Sequence, residues 1–451
     1  FRSWRADLPL LAETSGKNAL IVTPSADYDL AVADIVKSAF GHAGQKCSAA
    51  SLVILVGSVA KSERFRRQLM DAVTTLRVGY PDDPESVMGP VIEPPGSKLT
   101  SGLTELGPGE NWLLTPQLLD DQGRLWSPGV REGVKPGSTF HQTEYFGPIL
   151  GIMSAKSLDE AISFQNGVDY GLTAGIHSLD PEEVAYWLDR VQAGNCYVNR
   201  GITCAIVQRQ PFGGWKKSSV GPGTKAGGPN YLMGMGSWRT AKATTDEMAA
   251  LSDPFVASLV PFVVEDNAET RGFFLRALAS DERAWSEVYG VSTDETGLTV
   301  ERNVFRYRPT AVTIRAAGFV PLAEILRVAL AGARVGARVS LSLTDPLPDG
   351  ALKLLRQGSE AFAPIADYVV ENEREFVSRV AGNPPERIRL VGSRADALSV
   401  AFDGTPEVAI YGYEATESGR VEMLPFVIEQ AVSLTAHRFG AIDPRFRDLA
   451  I

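Results

Sequence analysis

Cys47 is the residue in this sequence whose type and setting most readily suggest covalent chemistry. It lies in the segment GQKCSAASLVILVG, between the glycines that end a helical pattern and the apolar run from Leu52 to Val56. A thiolate is a soft nucleophile that can attack an electrophilic carbon. Because a cysteine in such a turn is more commonly a buried structural thiol, Cys47 alone does not decide between these two roles.

Oxidation of an aldehyde through a covalent intermediate needs more than a nucleophile. It also needs a base to activate water and a cofactor to accept hydride. Residues of suitable types occur in the sequence, but each has a commoner fate when taken singly. Glu13 could be a surface carboxylate at a strand end, Glu144 an acid before a turn, and Phe146 a core aromatic.

His42 suggests a different reaction, because it lies five positions before Cys47. An imidazole that deprotonates a cysteine thiol is the arrangement of a Cys/His acyl hydrolase. The sequence offers no third group that would orient this histidine, and a histidine in a helix-ending turn is usually solvated or structural. The hydrolase therefore stays a minor alternative.

Four motifs occur in one order along more than 200 residues: LLAETSGKNALIV, GQKCS preceded by Phe40, EYFGPILGI, and GNCYVNRGIT followed by PFGG. This series resembles the aldehyde dehydrogenase superfamily. The resemblance implies that Cys47 attacks the aldehyde carbon, and that its own backbone N–H helps hold the oxyanion. It implies that Glu13 activates the deacylating water. It also implies that NAD is the cofactor, with Glu144 holding the nicotinamide ribose and Phe146 packed beside the nicotinamide.

A narrower resemblance rests on KCSAAS, on NRGIT followed by AIVQRQPFGG, and on GPGTKAGGPNYL. These segments are similar to the L-glutamate γ-semialdehyde dehydrogenases of proline catabolism and to the dehydrogenase half of the proline utilization A family. The resemblance implies that Ser48, Cys204 and Ala205 bind the α-carboxylate and α-amine of the substrate, and that Phe212 contacts its methylenes. Cys204 departs from the glycine usual at that position, so we expect altered affinity more than altered chemistry.

The elements that position these residues can be predicted from periodicity. A helix is expected from Asp27 to Phe40 and another from Lys61 to about Leu76, with Cys47 in the turn before a buried strand. Beyond residue 246, strand-like runs at 312–316, 339–343, 368–370, 387–391 and 408–413 alternate with helix-like runs at 324–336, 350–357 and 424–440. This alternation predicts a largely parallel sheet covered by helices.

The predicted fold class is therefore α/β: an aldehyde dehydrogenase catalytic domain followed by a Rossmann-like α/β domain. The predicted divisions are the last piece of an NAD-binding domain at 1–13, the catalytic domain at 14–236, a linker at 237–245 and a non-catalytic domain at 246–451. The family resemblance implies that the rest of the NAD-binding domain is absent ahead of Phe1, so the chain alone should bind NAD poorly and turn over slowly.

Composition narrows the possible partners and setting. A net charge of −10 disfavours nucleic acid, and three cysteines with no paired spacing predict no metal site and a reducing, cytoplasmic location. The resemblance implies a proline dehydrogenase module, expected on the same parent chain, and a homo-oligomer. The alternatives are a broad-specificity aldehyde dehydrogenase, the Cys/His hydrolase, and a structural fragment.

Overall fold

The computed structural model describes residues 4–451 except 6, 7, 9, 204, 222, 237, 240–252, 264–267, 394 and 403–407. The chain forms two compact units that do not follow it in order. We call Glu13–Ser219, Asp294–Phe305 and Gln430–Ile451 the cysteine unit, and Phe1–Ala12, Val220–Thr293 and Arg306–Glu429 the five-strand unit. The domain division given above stays a prediction, since most of its linker lies outside the described residues.

A nine-stranded sheet supplies the framework of the cysteine unit. Its strands, from edge to edge, are Glu301–Pro309, Val427–Thr435, Asn195–Val198, Thr173–His177, Asn18–Val22, Ala50–Val56, Ile149–Ala155, Gly129–Glu132 and Asn111–Leu114. Neighbours from the second strand to the eighth pair in parallel, and the last pairs antiparallel. The strands Asn18–Val22 and Thr173–His177 bury every residue, as expected for a sheet covered on both faces.

The helices of the cysteine unit include the two that periodicity predicted. They are Tyr28–Phe40, Glu63–Thr74, Ser97–Thr104, Thr139–Gln142, Leu158–Asn166, Pro181–Arg190 and Pro444–Arg447. The Asp27 carboxylate caps the first helix by accepting hydrogen bonds from the N–H groups of Asp29 and Leu30. Both predicted helices are present, so Cys47 does follow a helix and precede a strand.

The five-strand unit contains a wholly parallel sheet, which confirms the five predicted strands and their parallel arrangement. Its strand order is Asp367–Val370, Val339–Leu343, Val312–Ala316, Arg387–Val391 and Ala409–Tyr411. Its helices are Pro254–Val263, Ala268–Ala284, Leu322–Arg334, Asp349–Gln357, Glu373–Gly382, Asp396–Ala401 and Gly419–Glu422.

The prediction of a helix at 424–440 is wrong. This segment contains the strand Val427–Thr435, which pairs in parallel with Asn195–Val198. Most of its residues are buried on both faces, so the alternation that identifies a half-exposed strand is missing. The partner strand lies more than 200 residues earlier, and no local signal reports that pairing.

Short elements complete the described chain. The remaining strands are Ala12–Glu13, Tyr170–Gly171, Trp215–Lys216, Ser219–Val220, His437–Arg438 and Ala441–Ile442, and the remaining helical turns are Gly41–Gly44, Gly57–Lys61, Tyr231–Met235, Trp285–Tyr289 and Leu424–Phe426. Within the described part of the chain, none of the helices combines the length and apolar character that a membrane crossing requires.

Candidate active site

Cys47 is placed by a sharp reversal of the chain after the first helix. His42, Ala43 and Gly44 all have left-handed φ angles, of 54°, 52° and 70°. A Cβ on Gly44 would lie 2.1 Å from the carbonyl oxygen of Gly147, so only glycine fits there. The turn that delivers Cys47 therefore lies directly against the segment that follows Phe146.

Asn18 fixes the backbone of this turn from the neighbouring strand. Its Nδ2 donates to the carbonyl oxygens of Cys47 and Ala49, at 2.8 and 2.9 Å, and its Oδ1 accepts from the N–H of Thr173 at 3.0 Å. A Cβ on Gly16 would lie 2.4 Å from the Cys47 carbonyl oxygen. The position of the thiol is thus set by two adjacent strands.

The Cys47 thiol is partly exposed. Burial raises its pKa, and the negative charges of Glu144 and Glu13 raise it further, against backbone N–H groups of Ser48 and Cys47 that lower it. Both predicted carboxylates therefore lie close enough to affect the thiol. The site brings together a protonated thiol and two groups able to accept protons.

Glu13 is held by the loop that contains PFGG. Its Oε2 accepts a hydrogen bond from the N–H of Gly214 at 2.8 Å. The next residue, Thr14, donates its N–H to the carbonyl oxygen of Ser218 at 3.0 Å. The carboxylate is exposed, which suits a base that must meet water.

Glu144 and Phe146 lie near the Cys47 turn. Glu144 Oε1 accepts from the N–H of Gly16 at 2.9 Å. Phe146 has a left-handed φ of 60°, and its carbonyl oxygen accepts from Gln45 Nε2 at 3.2 Å. Because Gln45 Oε1 also accepts from the N–H of Ile92 at 2.8 Å, one amide ties three segments together two residues before Cys47.

The residues predicted to bind substrate have less uniform surroundings. Ser48 is buried next to the thiol, and Ala205 is exposed. Phe212 is half-buried and lies between two residues held by Asn195, which bonds the Pro211 carbonyl oxygen at 3.0 Å and the Gly213 N–H at 3.1 Å. Cys204 lies outside the described residues.

His42, the basis of the hydrolase alternative, is exposed in the left-handed turn. Within the described residues, no hydrogen bond joins its ring to Cys47. The geometry gives no support to a Cys/His pair.

Lys17 was missed by the sequence analysis. It is 3% exposed, its Nζ lies 4.2 Å from the centroid of the Phe140 ring, and that Nζ has no hydrogen-bond partner among the described residues. Burial lowers its pKa to about 7, as does the charge of Arg131, while Glu144 and Glu110 oppose the shift. The only signal in the sequence was a lysine directly before the apolar run NALIV.

The glycine-rich segment 221–232, which contributed to the narrower resemblance, belongs to the five-strand unit. Glu429 organises it: Oε2 accepts from the Lys225 N–H at 2.6 Å and Oε1 from Asn230 Nδ2 at 2.8 Å. Arg420 Nη2 donates to Asn230 Oδ1 at 2.9 Å. Sequence analysis gave no role to Glu429, which lies about 200 residues from its partners.

Comparisons with known proteins identify relatives of this chain. The protein-family model described as "Aldehyde dehydrogenase family" matches residues 5–241 of this chain. The 1-pyrroline-5-carboxylate dehydrogenases of Geobacillus sp. (strain WCH70) and Bacillus subtilis (strain 168) are 38% and 37% identical over 225 residues, half of this chain and 43% of each relative. A solved structure of Proline Utilization A from Corynebacterium freiburgense is 46% identical with a TM-score of 0.81, covering 98% of this chain and 41% of that one. The chain thus spans about two-fifths of the length of these relatives.

Proposed function

Because the chain belongs to the aldehyde dehydrogenase family, we propose that it carries the catalytic part of an enzyme that oxidises L-glutamate γ-semialdehyde to L-glutamate with NAD. The observation that carries this proposal is the convergence of the Glu13 and Glu144 carboxylates on the Cys47 thiol. The proposed nucleophile, base and cofactor-binding acid are each held by different neighbouring residues, so each can take a separate role.

The proposed reaction begins when the thiol proton of Cys47 passes to solvent water and the sulfur bonds to the aldehyde carbon. The backbone N–H of Cys47 donates to the oxyanion that forms. NAD, which Glu144 and Phe146 would hold, would supply the acceptor for the hydride of this adduct. Glu13 then takes a proton from water, the resulting hydroxide attacks the thioester, and the C–S bond breaks to release the carboxylate product and Cys47.

Glu144 and Phe146 fit the cofactor chemically. A carboxylate such as Glu144, fixed by the Gly16 N–H, can accept hydrogen bonds from the hydroxyl groups of a ribose. Phe146 offers an aromatic surface beside it, on a backbone held by Gln45. These two residues would hold the nicotinamide riboside portion.

Substrate selection is assigned to Ser48, Cys204, Ala205 and Phe212. Donors near Ser48 and from the backbone at 204–205 would hold the α-carboxylate and leave the aldehyde facing Cys47. Phe212, held between Pro211 and Gly213, would contact the intervening methylenes. Support comes from the 1-pyrroline-5-carboxylate dehydrogenases that resemble the chain.

The full-length protein is proposed to contain an NAD-binding domain ahead of this chain and a proline dehydrogenase module, in a cytoplasmic homo-oligomer. Supporting this, the chain is 46% identical to a part of Proline Utilization A from C. freiburgense that amounts to 41% of that protein. The residues beyond 246 are proposed to be non-catalytic.

The test is NADH formation by the full-length protein with glutamate γ-semialdehyde, and with pentanal as an aldehyde without the amino-acid head group. Oxidation of the semialdehyde with at least a hundredfold preference, about 3 kcal/mol of discrimination, is expected. Equal use of both aldehydes would indicate a broad-specificity enzyme. Thioester cleavage without NAD would indicate the hydrolase, and inactivity a structural role.

A further inference from the structure

Three buried polar side chains bind one another and the loop at 200–210, which contains two of the proposed substrate residues, Cys204 and Ala205. Gln210, Asn303 and Ser433 are 3%, 3% and 0% exposed and come from three distant parts of the sequence. Gln210 Nε2 donates to Asn303 Oδ1 at 2.7 Å and to Ser433 Oγ at 2.9 Å, and Ser433 Oγ donates to Asn303 Oδ1 at 2.8 Å. We call these three residues the loop-base cluster.

Gln210 connects this cluster to the loop itself. Its Oε1 accepts from the backbone N–H of Ile206 at 2.9 Å. The carbonyl oxygen of Ile206 in turn accepts from the N–H groups of Arg209 and Gln210. The loop after Ala205 is therefore a closed turn whose end is fixed by a buried amide.

The start of the loop reaches the same serine. Arg200 Nη1 donates to Ser433 Oγ at 2.7 Å and also pairs with Glu301 at 3.0 Å. Ser433 lies opposite Tyr197 in the parallel strand pair, so the sheet register delivers its hydroxyl to this point. Both ends of the loop are thus bonded to one hydroxyl group.

Every hydrogen-bonding position of Ser433 is occupied. A serine hydroxyl has one donor and two acceptor positions. The donor is used by Asn303, and the acceptors by Arg200 and Gln210. Loss of this hydroxyl leaves Arg200 with Glu301 and Gln210 with Asn303, so the loop should loosen without the unit unfolding.

We propose that Ser433 is a positioning residue for substrate selection, because it binds Arg200 and Gln210, and Gln210 holds the backbone N–H of Ile206, the residue after Ala205. The inference rests on the proposed function. A strand from the end of the chain, with no catalytic side chain, would then set the affinity of the enzyme for the amino-acid head group. Since the proposed function places only the head group against this loop, the chemistry at Cys47 should be unchanged.

Ser342 provides a matched control in the five-strand unit. It is also fully buried, accepts from an arginine, Arg315 Nη1, at 3.0 Å, and donates to Glu371 Oε1 at 2.6 Å. Ser342→Ala therefore removes a hydroxyl of the same kind, far from the loop in sequence.

The experiment measures kcat and KM for glutamate γ-semialdehyde and for pentanal in the full-length protein. Ser433→Ala should raise KM for the semialdehyde about tenfold, as expected for a lost hydrogen-bond anchor, with kcat within about twofold and both constants for pentanal unchanged. Ser342→Ala should leave the ratio of kcat/KM for the two aldehydes as in the wild type.

A second variant keeps the inference testable if Ser433→Ala does not fold. Arg200→Lys retains the charge beside Glu301 but shortens the reach to Ser433, and should lower the same ratio about threefold. An unchanged ratio in the folded variants, with an active wild type, overturns the inference. A wild type that oxidises neither aldehyde overturns the proposed function instead.

Discussion

Two buried cations, one in each unit, have opposite surroundings. In the five-strand unit, Arg389 is fully buried and donates to Glu422, itself fully buried, at 2.7 Å. Burial lowers its pKa, but the charge and hydrogen bond of Glu422, together with Tyr413 and Glu324, outweigh that effect and the net pKa is raised. In the cysteine unit, Lys17 is equally buried without a hydrogen-bond partner among the described residues, and its pKa falls to about 7.

His177 and Asp34, in the cysteine unit, also have shifted pKa values. His177 Nε2 and Asp34 Oδ2 are 3.6 Å apart and neither atom is hydrogen-bonded within the described part of the structure. Burial lowers the pKa of His177 to about 4 and raises that of Asp34 to about 6. The contrast is not absolute, because Arg131 and Glu110 form a buried pair in the same unit.

This difference in pairing indicates which buried groups can take part in proton transfer. A fully paired buried charge is fixed in one protonation state and serves the fold, whereas a desolvated group without a partner can change state near neutral pH. Lys17, at the strand end beside Cys47, is a group of the second kind, whereas His177 lies at the opposite end of the same parallel strands. The parallel sheet of the five-strand unit holds groups of the first kind.

The largest effect should come from removing the nucleophile from the cysteine unit. Cys47→Ser should lower NADH formation by at least about 10⁴-fold in the full-length protein, since a hydroxyl without an adjacent base is a poor nucleophile. The control is Cys196→Ser, a fully buried thiol in the strand Asn195–Val198, which should keep near-normal turnover. Substantial activity in the Cys47→Ser variant would show that Cys47 is not the nucleophile, and the proposed chemical difference between the units would be lost.

Glu13→Gln should slow hydrolysis of the thioester by roughly 10³-fold, because an amide cannot accept the proton of water. Its oxygen can still accept from the Gly214 N–H, so the loop should stay in place. Rapid mixing should then reveal a burst of NADH followed by a slow steady state. Equal loss in both phases would mean that Glu13 supports the site and is not the base.

Replacing the two buried cations should change stability in opposite directions. Arg389→Met leaves the Glu422 carboxylate buried and unpaired and should lower the free energy of unfolding by about 3–5 kcal/mol. Lys17→Met removes a poorly solvated amine and should raise it by about 2 kcal/mol at pH 7. Urea unfolding measures both, and the same sign for the two variants would contradict the comparison.

The Lys17 contribution also has a defined pH dependence. Its folded pKa, about 7, lies below the unfolded value of 10.5, so between these values the unfolded chain holds a proton that the folded chain has lost. Stability of the wild type should therefore rise with pH across this window, and the Lys17→Met variant should lack that rise. Unfolding midpoints of the two proteins should converge as the pH increases.

The smallest expected effect concerns the Cys47 thiol. Its raised pKa means that the thiolate fraction, and with it the rate of the NADH burst, should increase by up to about tenfold per pH unit above neutrality. A burst rate that is already constant from neutral pH upward would show that the thiol is deprotonated in the complex with cofactor and substrate.

Local signals explain what could be predicted from the sequence. The turn at Cys47 follows from the glycines at 41 and 44 and from the apolar strand after them, and the five parallel strands follow from short β-branched runs. The features that the sequence analysis missed depend on contacts between residues far apart in the sequence. Glu429 binds a loop some 200 residues away, Ser433 reaches Arg200 and Gln210, and the strand Val427–Thr435 has burial on both faces that hides its period.

That same strand has a consequence for how a nascent chain can fold. Ala431 pairs with Asn195, so the strand Asn195–Val198 is an unprotected sheet edge until residues 430–435 have left the ribosome. An open edge of this kind recruits other strands, and contacts of such long sequence separation form slowly. Newly made protein should therefore depend on chaperones during this interval, and chains cut short before residue 430 should aggregate instead of accumulating as a folded unit.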